Sequence, residues 1–259
     1  MLKRLAIRWR TALEAGAVVI VLVGVKFLVE RLGGEFLSVT PLVTSIIAGG
    51  IFLFGLILAG TLADYKESEK IPAEFVSSCE SIYEEGLSLR AAGKAFDLEY
   101  LRGVLVNLVD SFMSDTADTE GRRALGALSK LNRSYREMED LGVPPNYIVR
   151  LKTEEASIRK NMLRVYYIQR TDFLPSAYLL VEVIVVLVLG MLVFIKVEPF
   201  YDAVIIIVFL TFLFVYIMRM LKRLDKPFRT GEKTMDDVSL FLVKEFRERL
   251  AGEQPDGGA

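Results

Sequence analysis

The 259-residue sequence contains no histidine and a single cysteine. Without histidine there can be no His-dependent triad, no His-ligated zinc and no ordinary general base titrating near neutrality. Cys79 can form neither an intramolecular disulfide nor a cysteine cluster. Its neighbours Phe75, Val76 and Ile82 mark it as a small buried hydrophobe rather than a redox centre. An excess of one charge is also missing: 32 Lys and Arg against 33 Asp and Glu leave a net charge of −1. That balance excludes a global attraction to nucleic acid. The sequence carries no phosphate-binding glycine loop, metal-ligand cluster or nucleophile–base constellation, so no enzyme activity, cofactor or catalytic or metal residue is expected. Acidic groups such as Asp115-Thr116-Ala117-Asp118 and Glu154-Glu155 lack the glycine and spacing of an EF-hand and read as solvated surface.

What the chain does have is sharply segregated. Hydrophobic residues make up 53% of it and charged residues 25%, a combination expected of apolar spans joined to a polar domain. The organising stretch is 40–72. Thr40 is a good N-cap and Pro41 stands at the first helical position, where its missing N–H costs nothing. Residues 42–63 then pass without a charge, and at 1.5 Å per residue they reach roughly 33 Å, enough to cross a hydrocarbon core. The helix is expected to continue through 64–70 until Pro72 breaks it. Gly49, Gly55, Ala59, Gly60 and Ala63 form a small-residue face. Ile47, Ile51, Phe54 and Leu58 recur on another face and are candidates either to line something or to pack against neighbouring helices.

Residues 1–14 interleave Lys3, Arg4, Arg8 and Arg10 with apolar residues and Trp9, the pattern of a basic amphipathic arm at a membrane surface. A first span, 15–32, leads through the short loop 33–39 to the second, so 15–63 forms an antiparallel hairpin. A third span begins at 174 and a fourth runs 203–221, giving a second membrane segment over 173–221. Two charges stand inside these spans. Lys26 is expected to snorkel to the interface, and Glu182 is expected to be neutral, paired or facing water; a Lys26–Glu182 pair is conceivable. Arg219, Lys222, Arg223, Lys226 and Arg229 follow the fourth span, whereas the opposite loops hold chiefly Arg31 and Lys196. The termini and the middle of the chain are therefore expected in the cytoplasm.

That middle, 64–172, shows four helical stripes and no competing strand alternation. The stripes run through Phe75 to Gly86, Leu98 to Phe112, Leu125 to Leu141, and Ile148 to Val165, the last with Asn146 as a possible cap. Residues 222–259 read as a last amphipathic helix from Asp236 with a frayed tail. The fold class is all-α: four transmembrane helices with a cytoplasmic helical domain inserted between the second and third.

Three motifs in this order resemble one family. Asp64-Tyr65-Lys66-Glu67-Ser68-Glu69-Lys70-Ile71-Pro72 is similar to the polar stretch closed by Ile-Pro or Leu-Pro that leaves the pore helix of bestrophins. Asp172, Pro175 and Tyr178 resemble that family's Asp, Pro and Tyr where the third span begins. Leu224-Asp225-Lys226-Pro227-Phe228 is similar to its Pro-Phe element after the fourth span. The resemblance covers nearly the whole chain and is greatest to the microbial bestrophin-like membrane proteins of uncertain function. It implies a homopentamer in which the second helices surround a pore with a hydrophobic neck, here Ile47, Ile51 and Phe54 or, one turn later, Leu58. The family's dense acidic calcium clasp is replaced after Pro227-Phe228 by 229–237, where Asp236 and Asp237 read as caps of the last helix.

The functional expectation is a bestrophin-like ion channel in the cell membrane, its partners being the lipid bilayer, further copies of itself and permeant ions, and not nucleic acid. The alternative is a membrane-anchored helical interaction or signalling protein without conductance. In that case the bulky stripe of the second span would pack against other spans.

Overall fold

The computed structural model describes residues 2–118, 121–171, 175–228 and 237–252. In chain order the elements are α1 (Leu2–Arg31), β1 (Leu37–Ser38), α2 (Pro41–Ala91), α3 (Leu98–Ala117), α4 (Arg123–Leu128), α5 (Leu131–Asp140), α6 (Pro145–Arg170), α7 (Pro175–Phe194), β2 (Ile195–Lys196), α8 (Phe200–Leu224) and α9 (Phe241–Gly252). Among the described residues four helices are long and apolar enough to cross a membrane: α1 over Trp9–Arg31, α2, α7 over Ser176–Phe194, and α8. The chain is an all-α membrane protein, with α3–α6 inserted between its second and third spans.

The chain divides into two units, with α2 contributing to the first up to Tyr65 and to the second from Lys66. In the first unit α1 packs chiefly on α8, and α7 touches both. Its core gathers Val43 and Phe54 of α2, Val181, Val185, Val188 and Leu192 of α7, and Ile207, Phe214 and Leu221 of α8. The two hairpin loops, read from sequence as plain turns, pair as a short parallel ladder, Leu37 with Ile195 and Ser38 with Lys196. Both loops lie at the same end of the bundle and run in the same direction, so their free backbone groups can satisfy one another.

The second unit holds the rest of α2 with α3–α6 and α9. The expected break at Pro72 is absent, and α2 runs unbroken for 51 residues. Proline forfeits one helical hydrogen bond, but Ile71, Phe75, Val76, Cys79 and Ile82 around it are all buried, and that burial outweighs the lost bond. Phe75 stacks on Phe112 of α3 with ring centroids 4.2 Å apart. Gly86 lets α3 approach, since a Cβ there would come within 2.6 Å of a Leu101 methyl. The third stripe is divided into α4 and α5. The fourth helix starts not from an Asn146 cap but with Pro144 at the cap and Pro145 at the first helical position, where a missing N–H is harmless. Similarly, α9 begins at Phe241 rather than at Asp237, while Asp236 lies outside the described residues.

Two carboxylates expected at the surface are buried. Glu155 accepts from Lys152 at 3.3 Å and Arg159 at 2.9 Å. Asp115 receives the backbone N–H groups of Arg123 (3.1 Å) and Ala124 (2.9 Å) at the start of α4, together with the Tyr166 hydroxyl at 2.5 Å. The carboxylate thus satisfies donors that the first turn of α4 cannot bond internally. Burial pushes the Tyr166 phenol above its ordinary value, and the hydrogen bond to Asp115 and that carboxylate's charge act in the same direction. A raised phenol stabilises the fold fully below its unfolded value of about 10, and the contribution drains as pH rises beyond it. Tyr166→Phe is therefore expected to cost about 1–3 kcal/mol, read as a lower melting midpoint in detergent at neutral pH. The variant's further loss of stability above about pH 10 should be shallower than the parent's; an unchanged midpoint and alkaline profile would contradict this assignment.

Candidate functional site: the α2 face and its charged anchors

The first turn of α2 forms as its sequence requires, with Thr40 Oγ1 accepting the Val43 N–H at 3.3 Å. The helix then turns one stripe into its own unit: Val43, Gly50, Phe54 and Thr61 are buried, with Ile47, Ile57 and Leu58 packed at the margins. Gly50 sets this contact, because a Cβ there would lie 3.2 Å from Ile184 Cγ2 and 3.6 Å from Val188 Cγ2 of α7. Beyond it, the Phe54 ring meets Phe214 of α8 with centroids 5.0 Å apart.

The structure places the four expected neck residues differently from one another. Phe54 is 2% exposed, and Ile47 and Leu58 are half-buried against the unit's own core. Ile47 and Leu58 keep part of their surface open in the single chain, whereas Phe54 does not. Ile51 alone of the four is exposed, on the flank of the outward face. That outward face carries Ser45, Ala48, Gly49, Phe52, Leu56, Ala59 and Ala63, with Phe52 70% and Leu56 60% exposed and one turn apart. Its hydroxyl is internally satisfied, Ser45 Oγ donating to the Pro41 carbonyl at 2.8 Å. The face therefore offers apolar surface without charge over the length of the span.

Of the two charges inside the spans, Lys26 departs from its expectation, whereas Glu182 is paired and partly exposed. Lys26 does not snorkel; it is 0% exposed. Its ammonium has three protons and meets three oxygens: Glu35 Oε1 at 2.5 Å, the Val193 carbonyl at 3.3 Å and the Ile195 carbonyl. Every donor is thus answered, the condition for keeping a charge in a low-dielectric site. The lysine joins α1 to the end of α7 and to both hairpin loops beside the β1–β2 pair. Glu35 is the one acidic residue in the loop 33–39, a local sign in the sequence of a partner for Lys26. Glu182 pairs not with Lys26 but with Lys222, at 2.5 Å across α7 and α8. Nearby basic residues are similarly engaged, Glu14 receiving Arg10 at 3.0 Å and Arg219 at 3.5 Å.

Ile71 and Pro72 are buried inside α2, and Tyr178 packs on the membrane core. Pro175 opens α7, while Asp172 lies outside the described residues. Pro227 and Phe228 are buried, and the Pro227 carbonyl accepts the Val238 N–H at 2.8 Å. Among the described residues no group of three or more His, Cys, Asp or Glu could hold a metal ion.

No protein-family model matches the chain, and no curated protein matches it. Solved structures do. A crystal structure of a bacterial bestrophin homologue from Klebsiella pneumoniae superimposes with a TM-score of 0.73 at 15% identity, covering 94% of this chain and 97% of that one. A substituted form of a Klebsiella pneumoniae bestrophin homologue gives 0.72 at 14%, covering 95% and 97%. A crystal structure described only as a membrane protein gives 0.75 at 14%, covering 96% and 99%. Over nearly its whole length, this chain has the fold of the bacterial bestrophin homologues.

Proposed function

We propose that the protein is a bestrophin-like ion channel, a homopentamer in which the outward faces of five α2 helices surround a hydrophobic pore. The observation that carries this reading is the apolar, charge-free face of α2, open in the single chain and directed away from the helix's own unit. One such face per subunit can close into a ring only in a symmetric assembly. Phe52 and Leu56, bulky and one turn apart, are the residues placed to form the constriction. Rings of such side chains exclude water when narrow and admit ions when they part, which is gating by dewetting.

In this reading the second unit and both termini are cytoplasmic, supported by the basic run at 219–226 after α8 against the sparse basic charge of the opposite loops. The membrane is the cell membrane, and the permeant species are small ions. The salt bridges Glu182–Lys222 and Glu14–Arg219 then lie towards the cytoplasmic ends of their helices, where water helps to solvate them.

Reconstitution in planar bilayers tests the reading. Phe52→Ala combined with Leu56→Ala should raise unitary conductance or open probability several-fold by widening a dewetted constriction. Phe54→Ala removes a similar volume from the inward face; it should lower the melting temperature and leave conductance near the parent value. A protein that is monomeric and electrically silent in all salts, or one that conducts yet ignores the double substitution, would contradict it.

A further inference from the structure

Within the first unit lies a cavity of about 180 Å³ between the first turns of α2, the last turns of α7 and the first turns of α8. Val43 and Ile47 wall it on one side, Ala203 and Ile207 on the other, with Leu192 and Ile195 between. Thr44 is its one lining residue with a hydroxyl, and that hydroxyl is already used, donating to the Thr40 carbonyl at 3.1 Å. Nothing on the wall therefore calls for a hydrogen bond. An apolar cavity of about 150 Å³ stays dry and accepts a benzene-sized guest, so this one has room for a short stretch of hydrocarbon and no reason to hold water.

The position of the cavity decides what reaches it. Its α2 wall belongs to the inward stripe, away from the face open to other copies. Val39 and Ile206 at its rim are exposed, and all three helices around it belong to candidate membrane spans. With these helices spanning a membrane, the mouth between them opens towards lipid. We propose that this cavity is a binding site for an alkyl chain of a membrane lipid, which enters between α2 and α8 and supports the first turns of α2. At Gly50 the middle of α2 meets Ile184 and Val188 of α7, but the segment before it has this gap at its back. A chain in the gap completes the packing that the protein's own side chains leave open.

The test is photolabelling of the full-length protein in vesicles of phosphatidylcholine carrying a diazirine in one acyl chain, with adducts mapped by peptide mass spectrometry. Adducts on Val43, Ile47, Ala203 and Ile207 should exceed those on the exposed Val186 and Phe209, as expected for a retained rather than a passing chain. Ala203→Phe, which fills the space, should remove the excess and leave labelling of Val186 and Phe209 unchanged; Ala203→Leu, a milder filling, should reduce it in part. Melting curves confirm that each variant is folded. Cavity labelling no higher than at Val186, labelling indifferent to both fillings, or labelling confined to dissociated single subunits, meaning that a second copy occupies the space, would each overturn the proposal.

Discussion

The close approach of α2 to α7 at Gly50 determines how the rest of the membrane unit is presented. With no Cβ at that position, α2 rests against Ile184 and Val188, in the rotation that also packs Val43 and Phe54 into the core. Val43, Phe54 and Thr61 then fall inward, while Phe52 and Leu56 fall outward. The charge-free stretch 42–63 has no solvent face to orient it; in lipid its rotation is decided by packing, and small residues permit the closest packing. The proposed conduit is a consequence of that rotation, since it is built from what the contact leaves open.

Charge is handled by complete local compensation. Lys26 is carried into the protein and surrounded by a carboxylate and two carbonyls, so its burial does not leave an unanswered donor. Its position beside the β1–β2 pair ties the two hairpin loops, and thereby the starts of α2 and α8, at one end of the bundle. The alkyl-chain cavity lies at this same end, with Ile195 contributing both a carbonyl to Lys26 and a side chain to the cavity wall. In the second unit Asp115 follows the same rule, a buried carboxylate whose oxygens meet two backbone N–H groups and a phenol.

What was legible in the sequence was what local pattern specifies. The Thr40-Pro41 start, the charge-free run of 42–63 and the apolar stripes of α3 and α6 depend on neighbours a turn away, and each forms an element at or near its expected place. Orientation and partner choice depend on residues far along the chain. Ile47, Phe54 and Leu58 were as apolar as the outward face, so periodicity could not tell which side Gly50 would press against α7. The partner of Lys26 required knowing that two loops pair, and Asp115 becomes buried because it caps a helix that begins eight residues later. Pro72 departs from its local helix-breaking rule, because burial of Ile71 and Phe75 outweighs one missing hydrogen bond.

The central claim, that the outward face of α2 borders water rather than lipid, is open to a direct measurement. Cys79 is buried, so thiols introduced singly at Phe52, Leu56, Val43 and Phe54 can be followed in liposomes with a small, charged, membrane-impermeant thiosulfonate. Cysteines at positions 52 and 56 should react, and modification should change ion flux, while those at 43 and 54 should stay protected. Unreactive thiols at both 52 and 56, in protein shown to be folded and assembled, would mean that this face lies in hydrocarbon or in a dry contact and that α2 does not line a conduit.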